Sequence, residues 1–460
     1  MSQQWTPHEY QRRAVEFMIS NGSGALWLDP GMGKTAITLQ AIKTLKHAGA
    51  PYKTLVVAPL RPMYSVWPVE ASKWTNFENF KVEVLHGAEK DQAFKRDADI
   101  YAVNFDGLRW LSHLISKTGR FPFDVLVVDE ISMLRNTRTQ RFKTLQPMLD
   151  KFTRRYGLTG SPAPNSLMDV FGQQLIIDQG ATFGRFITHF RSKYFFATGY
   201  GGYEWKLQAG SEEAIHAALD GKVVRLSALD YLDMPEKIIN DVVVELPPDA
   251  KSAYDAVEAD LMAAVIGGQV TASTAAVAIM KCQQIANGSV YIDGPGRASS
   301  QVHDAKIEAV KDIIEERQGK PVMVAYHFGH DLETLKKAFP DAPVIGSGVV
   351  GKTLDDTINR WNNGEVPVLI GHPMSMGHGL NLQGVDAQVI WFSNTWSLEL
   401  FDQFNARVWR QGQTGAVTVI HRIIAKDTVD ESIVQAIARK ESGQNSLLDE
   451  LKKRSQVYLQ

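Results

Sequence analysis

The chain has 460 residues, 44% of them hydrophobic and 22% charged, which is enough for two or three domains with full cores. A net charge of −2 excludes a globally basic surface, so a polyanion would have to be met in a local cleft. A single cysteine, Cys282, excludes an intrachain disulfide and a cysteine-only metal site; with no basic-then-apolar leader and no run near the ~18 apolar residues of a membrane span, a soluble, cytoplasmic protein is expected.

Arg12–Ile19 has helical spacing, with Ala14, Val15, Met18 and Ile19 inward. Gln11 either reads an adenine edge with its amide or is an exposed polar residue at a helix start. Ala25–Leu28 reads as a buried strand and Ala36–Ile42 as a helix. Between them lies Asp29-Pro30-Gly31-Met32-Gly33-Lys34-Thr35, the strand, glycine loop and helix that a phosphate-binding loop needs. Gly31 and Gly33 let the backbone, Met32 included, turn its N–H groups inward, and the helix N-terminus adds positive charge. Lys34 would reach the β/γ-phosphates and Thr35 would sit on Mg²⁺. The strict pattern asks for glycine where Leu28 stands.

Thr54–Ala58 is a second buried strand, and the loop after it carries Arg61. Val82–Leu85 and Asp99–Val103 read as two more. Phe123–Val128 runs into Asp129-Glu130, paired carboxylates at the carboxyl end of a strand, where open α/β sheets bind ligands. Asp129 there can hold Mg²⁺, and Glu130 can orient a water and take its proton. Arg155–Leu158 leads into the polar turn Thr159–Asn165. The alternation from Ala25 to about Asp178 predicts a doubly wound parallel sheet. Phe183, Phe186, Phe190, Tyr194, Phe195, Phe196, Tyr200, Tyr203 and Trp205 read as the core of a small helical insert, with base stacking as the alternative, and Gly199–Tyr203 as a hairpin tip or mobile loop. Pro247–Ile285 is expected to be helical.

Asp304–Ile314 and Leu354–Trp361 read as helices, and Pro321–Tyr326, Val366–Ile370, Ala387–Phe392 and Ala416–Ile424 as strands. This second alternating region has no phosphate loop of its own, which suits a lobe that covers the nucleotide of the first. Gln403, Arg407 and Arg410 fall at i, i+4 and i+7, predicting one face of a helix that starts near Leu398. Two arginines there could clamp a γ-phosphate; such fingers are worth roughly 10³–10⁵ in rate in other nucleotide hydrolases. The glycine-rich turn Gly377–Gln383 permits close approach to a phosphate backbone.

In this order, the Gln11 segment, the loop Asp29–Thr35, Val57–Pro59, Asp129–Ser132, Leu158–Asn165, Gly377–Leu382, Gln403–Gln413 and Thr428–Glu431 resemble the motor ATPases of helicase superfamily two. The Swi/Snf branch, in its compact phage or bacterial form, is the most similar, and the resemblance runs from about Thr6 to Lys440. It implies an α/β fold of two RecA-like parallel-sheet lobes in tandem with helical insertions between them. The expected bounds are 1–164 for the ATP-binding lobe, 165–300 for the insertions, 301–441 for the second lobe and 442–460 for a tail.

It also implies the chemistry. Gln11 would contact adenine; Gly31, Met32, Gly33, Lys34 and Thr35 would hold ATP; Thr35 and Asp129 would hold Mg²⁺; Glu130 would serve the water. Arg407 and Arg410 would be the fingers, with Gln403 beside them at the nucleotide. Arg61, Thr159, Ser161, Gly377, Gly379 and Asn381 would lie along the nucleic-acid track, Thr159 and Ser161 coupling it to the ATP site. The implied partner is nucleic acid, above all double-stranded DNA, along which the lobes would step by closing and opening, with a further protein partner for targeting. The sequence departs from the eukaryotic branch at Ser132, at Ser161 and at Trp396-Ser397-Leu398. A strand-separating DNA or RNA helicase, with Gly199–Tyr203 as its wedge, and a nucleotide-switched adaptor are the alternatives.

Overall fold

The computed structural model describes residues 4–198, 204–266, 272–292, 298–346, 352–376, 380, 382 and 385–442. The chain divides into two compact units, Met1–Leu232 with Lys440–Gln460, and Asp233–Arg439. Each is built on its own parallel sheet.

The first unit holds β1 (Ser23–Leu28), β2 (Thr54–Ala58), β3 (Val82–Val84), β4 (Ile100–Asn104), β5 (Val125–Asp129) and β6 (Arg154–Thr159). It also holds the antiparallel pair β7 (Phe195–Thr198) and β8 (Glu204–Leu207), and then β9 (Val223–Leu226). Seven of these form one sheet in the order β3-β4-β2-β5-β6-β1-β9, every neighbouring pair parallel. The central strands are near-continuous apolar runs because helices cover both faces. Leu55, Val57, Leu126 and Val128 are fully buried on one side with Ile131, Phe142 and Phe171. Each such side chain contributes about 1.5–3 kcal/mol of transfer free energy.

The second unit holds β10 (Glu236–Val244), β11 (Ser289–Tyr291), β12 (Ser299–Gln301), β13 (Val322–Ala325), β14 (Val344–Ile345), β15 (Val368–Gly371), β16 (Gln388–Trp391) and β17 (Val417–Ala425). Six of them form an all-parallel sheet in the order β10-β17-β16-β13-β15-β14. Its core gathers Met323, Leu369, Trp391, Phe401 and Phe404 on one face and Val310, Val324, Ile390 and Ile423 on the other. A buried ion pair, Lys306 Nζ to Asp430 Oδ2 at 2.5 Å, joins the helix Ala305–Glu316 to the segment after β17. Lys306 also donates to Asn287 Oδ1 at 2.7 Å, so the buried ammonium has more than one partner, as burial of a charge demands.

The fold class is as expected, two parallel-sheet lobes with helices, but the stretch 165–300 is not a helical insertion throughout. β9 adds an edge to the first sheet and β10 an edge to the second, and the two units divide after Leu232. Val223-Val224-Arg225-Leu226 carries a charge that a sequence reading assigns to the surface, yet Arg225 is buried. The expected helical stretch from Pro247 comprises helices Pro248–Ile266 and Ala272–Asn287. Of the aromatic set, Phe183, Phe190, Tyr194 and Phe195 pack together in the first core, with ring centroids 4.9–6.1 Å apart. Phe186 and Phe196 are exposed. The expected hairpin tip Gly199–Tyr203 lies outside the described residues; β7 and β8 flank it. Among the described residues no helix is long and apolar enough to cross a membrane.

Across β10, β17 and β16 runs a row of three side chains. Asn240 Nδ2 donates to His421 Nδ1 at 3.0 Å, and His421 Nε2 donates to Gln388 Oε1 at 2.9 Å, which requires the neutral ring. Burial, with the nearby charge of Arg317 behind it, pushes the His421 pKa down to about 4. The unfolded chain takes up a proton below about pH 6.5, whereas folded His421 takes it up only near pH 4. Stability is therefore full above pH 6.5 and falls by up to about 3 kcal/mol as the pH drops through that window. Burial lowers His303, His327 and His372 of the same unit as well, which adds to the fall. Urea unfolding of the second unit at pH 7 and pH 5 should show the loss, and His421→Gln should flatten part of the slope; an unchanged slope would contradict the assignment.

Candidate nucleotide site

β1 ends at Leu28, and the loop Asp29–Gly33 turns into the helix Lys34–His47. Gly31 and Gly33 stand at φ 86° and 81°, the left-handed region that glycine enters without strain. Gly33 is also crowded: a Cβ there would lie 2.6 Å from Gln11 Nε2. Gln11, in the helix Glu9–Ser20, is buried. Its Nε2 donates to the Met32 carbonyl at 3.2 Å and its Oε1 accepts from the His8 backbone at 3.0 Å. Tyr10 donates its hydroxyl to the same Met32 carbonyl at 3.3 Å. The loop is thus held by the helix Glu9–Ser20, and its left-handed backbone at 33 favours glycine.

Lys34 folds back over the loop, its Nζ donating to the carbonyls of Leu28 at 2.7 Å and Asp29 at 3.3 Å. Burial holds its amine below the usual pKa, and the charges of Glu130, Asp129 and Asp29 act against that. Asp29 is anchored outward. Its Oδ1 lies 2.7 Å from Arg225 Nη1, and its Oδ2 accepts from Ala228 N at 2.9 Å and from Ser227 Oγ at 3.3 Å. Arg225 Nη1 also donates to the carbonyls of Trp27 and Leu226.

The strand order places β6 next to β1, and β5 next to β6. β5 delivers Asp129, whose Oδ2 accepts from Trp67 Nε1 at 3.0 Å. Glu130 follows in a left-handed conformation, φ 60° and ψ 58°, which costs a residue with a Cβ about 1–3 kcal/mol. Two hydroxyls hold it there: Thr159 Oγ1, from the end of β6, donates to Glu130 Oε1 at 2.5 Å, and Ser132 Oγ donates to the same oxygen at 3.0 Å. A lysine, the backbone N–H groups at a helix start and two held carboxylates at the end of one strand are the parts of a phosphoanhydride hydrolase.

Residues 10–288 match the SNF2-related domain family, more than half of the chain. The chain belongs to the SNF2-related family. Residues 305–412 match the Helicase conserved C-terminal domain, so this SNF2-related chain carries both halves of a helicase-type ATPase. It is 38% identical over 469 residues to protein p41 of Acyrthosiphon pisum secondary endosymbiont phage 1, covering 98% of this chain and 99% of that one. An uncharacterized ATP-dependent helicase of Mycoplasma pneumoniae is 24% identical over 94% of this chain, which spans only 41% of that protein's length. The solved Sulfolobus solfataricus SWI2/SNF2 ATPase core in complex with dsDNA aligns at a TM-score of 0.45 and 24% identity, over 99% of this chain and 96% of that one.

Within the first unit of this SNF2-related chain, Gln11, Gly31, Met32, Gly33 and Lys34 form one connected cluster, with Thr35 following in the helix. Asp129 and Glu130 stand at the end of β5, with β6 between it and β1, their charges felt at Lys34. Thr159 and Ser161, expected along a nucleic-acid track, are buried. Thr159 donates its hydroxyl to Glu130, and its Oγ1 accepts from the Ser161 backbone N–H at 3.1 Å. Arg61 lies in the short helix Leu60–Ser65 after β2, partly buried, with its pKa lowered by that burial.

In the second unit the helix Leu398–Asn405 starts where expected, but it ends before Arg407. The single-face arrangement of Gln403, Arg407 and Arg410 on one helix is thereby corrected. Past Asn405 the backbone tightens into turns, Arg407 N bonding Phe404 O and Val408 N bonding Asn405 O, while the Asn405 side chain is taken by Trp391 Nε1 at 3.0 Å. Arg407 donates from Nη1 to Leu380 O at 2.8 Å and from Nε to Gln403 O at 3.2 Å. Gln403 is buried, and burial holds the Arg410 guanidinium below its usual pKa. Gly377, Gly379 and Asn381 lie outside the described residues.

Sequence reasoning missed Trp67, Arg225 and Tyr10. The loop geometry yields one expectation. Gly33→Ala must accommodate a Cβ in the left-handed region and against Gln11, so nucleotide affinity should fall by about tenfold or more with the fold retained. Fluorescent-nucleotide titration with circular dichroism checks this; wild-type affinity would refute the fit.

Proposed function

We propose that this SNF2-related ATPase is a DNA-stimulated motor that translocates on double-stranded DNA. The observation that carries the ATPase half of this reading is the cluster of Lys34, Asp129, Glu130 and Thr159 beside a loop whose two glycines take left-handed backbone. The DNA half rests on the family match and on the Swi/Snf-like order of motifs.

The residues present suit ATP with Mg²⁺. Glycine at 33 leaves the loop without side-chain bulk there, and the groups offered are backbone N–H groups, an ammonium and a hydroxyl as donors and a carboxylate as a cation ligand. Gly31, Gly33 and Lys34 would hold the phosphates, and Thr35 and Asp129 would hold Mg²⁺, whose charge would offset that developing on the γ-phosphoryl oxygens. Glu130 orients the attacking water and takes its proton at a carboxylate oxygen, the side chain being held by Thr159 and Ser132. Gln11 supports the loop, with the adenine edge as its further partner. Arg407 and Arg410 supply permanent positive charge for the transition state. Nucleic acid that favours the closed, hydrolysing state makes turnover depend on it. A targeting protein would direct the motor.

Lys34→Ala and Glu130→Gln should each lower kcat by at least about 10³-fold, whereas Arg410→Ala should lower kcat and leave nucleotide affinity within about twofold. ATP-driven release of a third strand from a triplex tests motion on intact duplex. Release by wild type and not by Glu130→Gln supports translocation; duplex-stimulated hydrolysis without release, or separation of a fork, would replace it with the adaptor or the unwinding reading.

A further inference from the structure

Trp67 opens the helix Trp67–Lys73 and is fully buried in the first unit. A buried indole N–H is a donor only, and it needs an acceptor. That acceptor is not a backbone carbonyl but the carboxylate of Asp129, at 3.0 Å from Nε1 to Oδ2. The donor is rigid, since the indole is packed on all sides. The neighbouring carboxylate, Glu130, is held through one oxygen in the same manner by two hydroxyls. Other buried indoles of the chain do not share this arrangement. Trp27, on β1 of the same unit, is equally buried, and its N–H meets no acceptor among the described residues.

We propose that Trp67 is a positioning residue for the divalent cation: its indole N–H fixes one oxygen of Asp129, sets the plane of the carboxylate, and so orients it as a cation ligand. The inference rests on the reading of Asp129 as the cation's carboxylate. An indole N–H cannot bind a cation itself, so its effect reaches the metal only through Asp129. Outer partners of this kind act by fixing the ligand's orientation, and their loss weakens metal affinity by about 10–100-fold. Charge assistance makes the bond stronger than one between neutral groups.

The test measures Mn²⁺ binding to the full chain in saturating ADP by electron paramagnetic resonance, with ADP affinity in EDTA measured in parallel. Trp67→Phe keeps an aromatic ring and removes the donor. It should raise the Mn²⁺ dissociation constant by about 10–100-fold with metal-free ADP affinity unchanged. Trp27→Phe removes a comparable buried volume without a hydrogen bond, and it should leave Mn²⁺ affinity within about twofold. If Trp67→Phe does not fold, benzothienylalanine placed at position 67 by nonsense suppression replaces N–H with sulfur at nearly the same shape and gives the same comparison. Wild-type Mn²⁺ affinity in the variant lacking the donor, with affinity lost in Asp129→Asn, would overturn the role of Trp67 and leave the metal reading standing. Wild-type affinity in Asp129→Asn would overturn the metal reading and the proposal with it.

Discussion

The space at Gly33 is the constraint on which the rest of the site depends. Its left-handed backbone favours glycine, and an added Cβ, 2.6 Å from Gln11 Nε2, would push that amide off the loop. Because Gln11 and Tyr10 both bond the Met32 carbonyl, the first helix fixes the height of the loop. The arginine of the edge strand, Arg225, fixes its outer corner through Asp29. Lys34 can then be held over the loop by two carbonyls, partly buried and still opposed by three carboxylates. The loop is a rigid frame rather than a passive connection.

The carboxylate side of the site follows the same logic in a different currency. Parallel strands buried on both faces bring their first polar residues out at one edge, and β5 brings out Asp129 and Glu130 side by side. Two adjacent carboxylates repel each other and tend to rotate away. Here each is held by hydrogen-bond donors: Trp67 on Asp129, and Thr159 and Ser132 on Glu130. The left-handed backbone of Glu130 is accompanied by these bonds to its side chain. Ser132, two residues on, provides a short donor that reaches the glutamate at 3.0 Å.

Much of this was legible in the sequence for a local reason. Gly-Met-Gly-Lys-Thr between a strand and a helix, and a run of apolar residues ending in Asp-Glu, state their chemistry within a few positions. The alternation of strands and helices likewise exposed both parallel sheets. What stayed hidden depends on distance along the chain. Trp67 and Asp129 are 62 positions apart and Thr159 and Glu130 are 29, and no spacing rule links them. β9 lies in a stretch the sequence did not mark as a strand, and its Arg225 is buried against Asp29 and two carbonyls. The arginine helix was drawn too long because i, i+4, i+7 spacing cannot register that Asn405 gives its side chain to Trp391, beyond which the backbone tightens.

The central claim is that hydrolysis at this site is driven by duplex DNA. Steady-state ATP hydrolysis measured without nucleic acid, then with duplex DNA, single-stranded DNA and RNA at equal nucleotide concentration, addresses it most directly. The account predicts strong stimulation by the duplex, clearly above that by single strands. Equal or greater stimulation by single-stranded DNA or RNA would contradict it, as would turnover indifferent to all three.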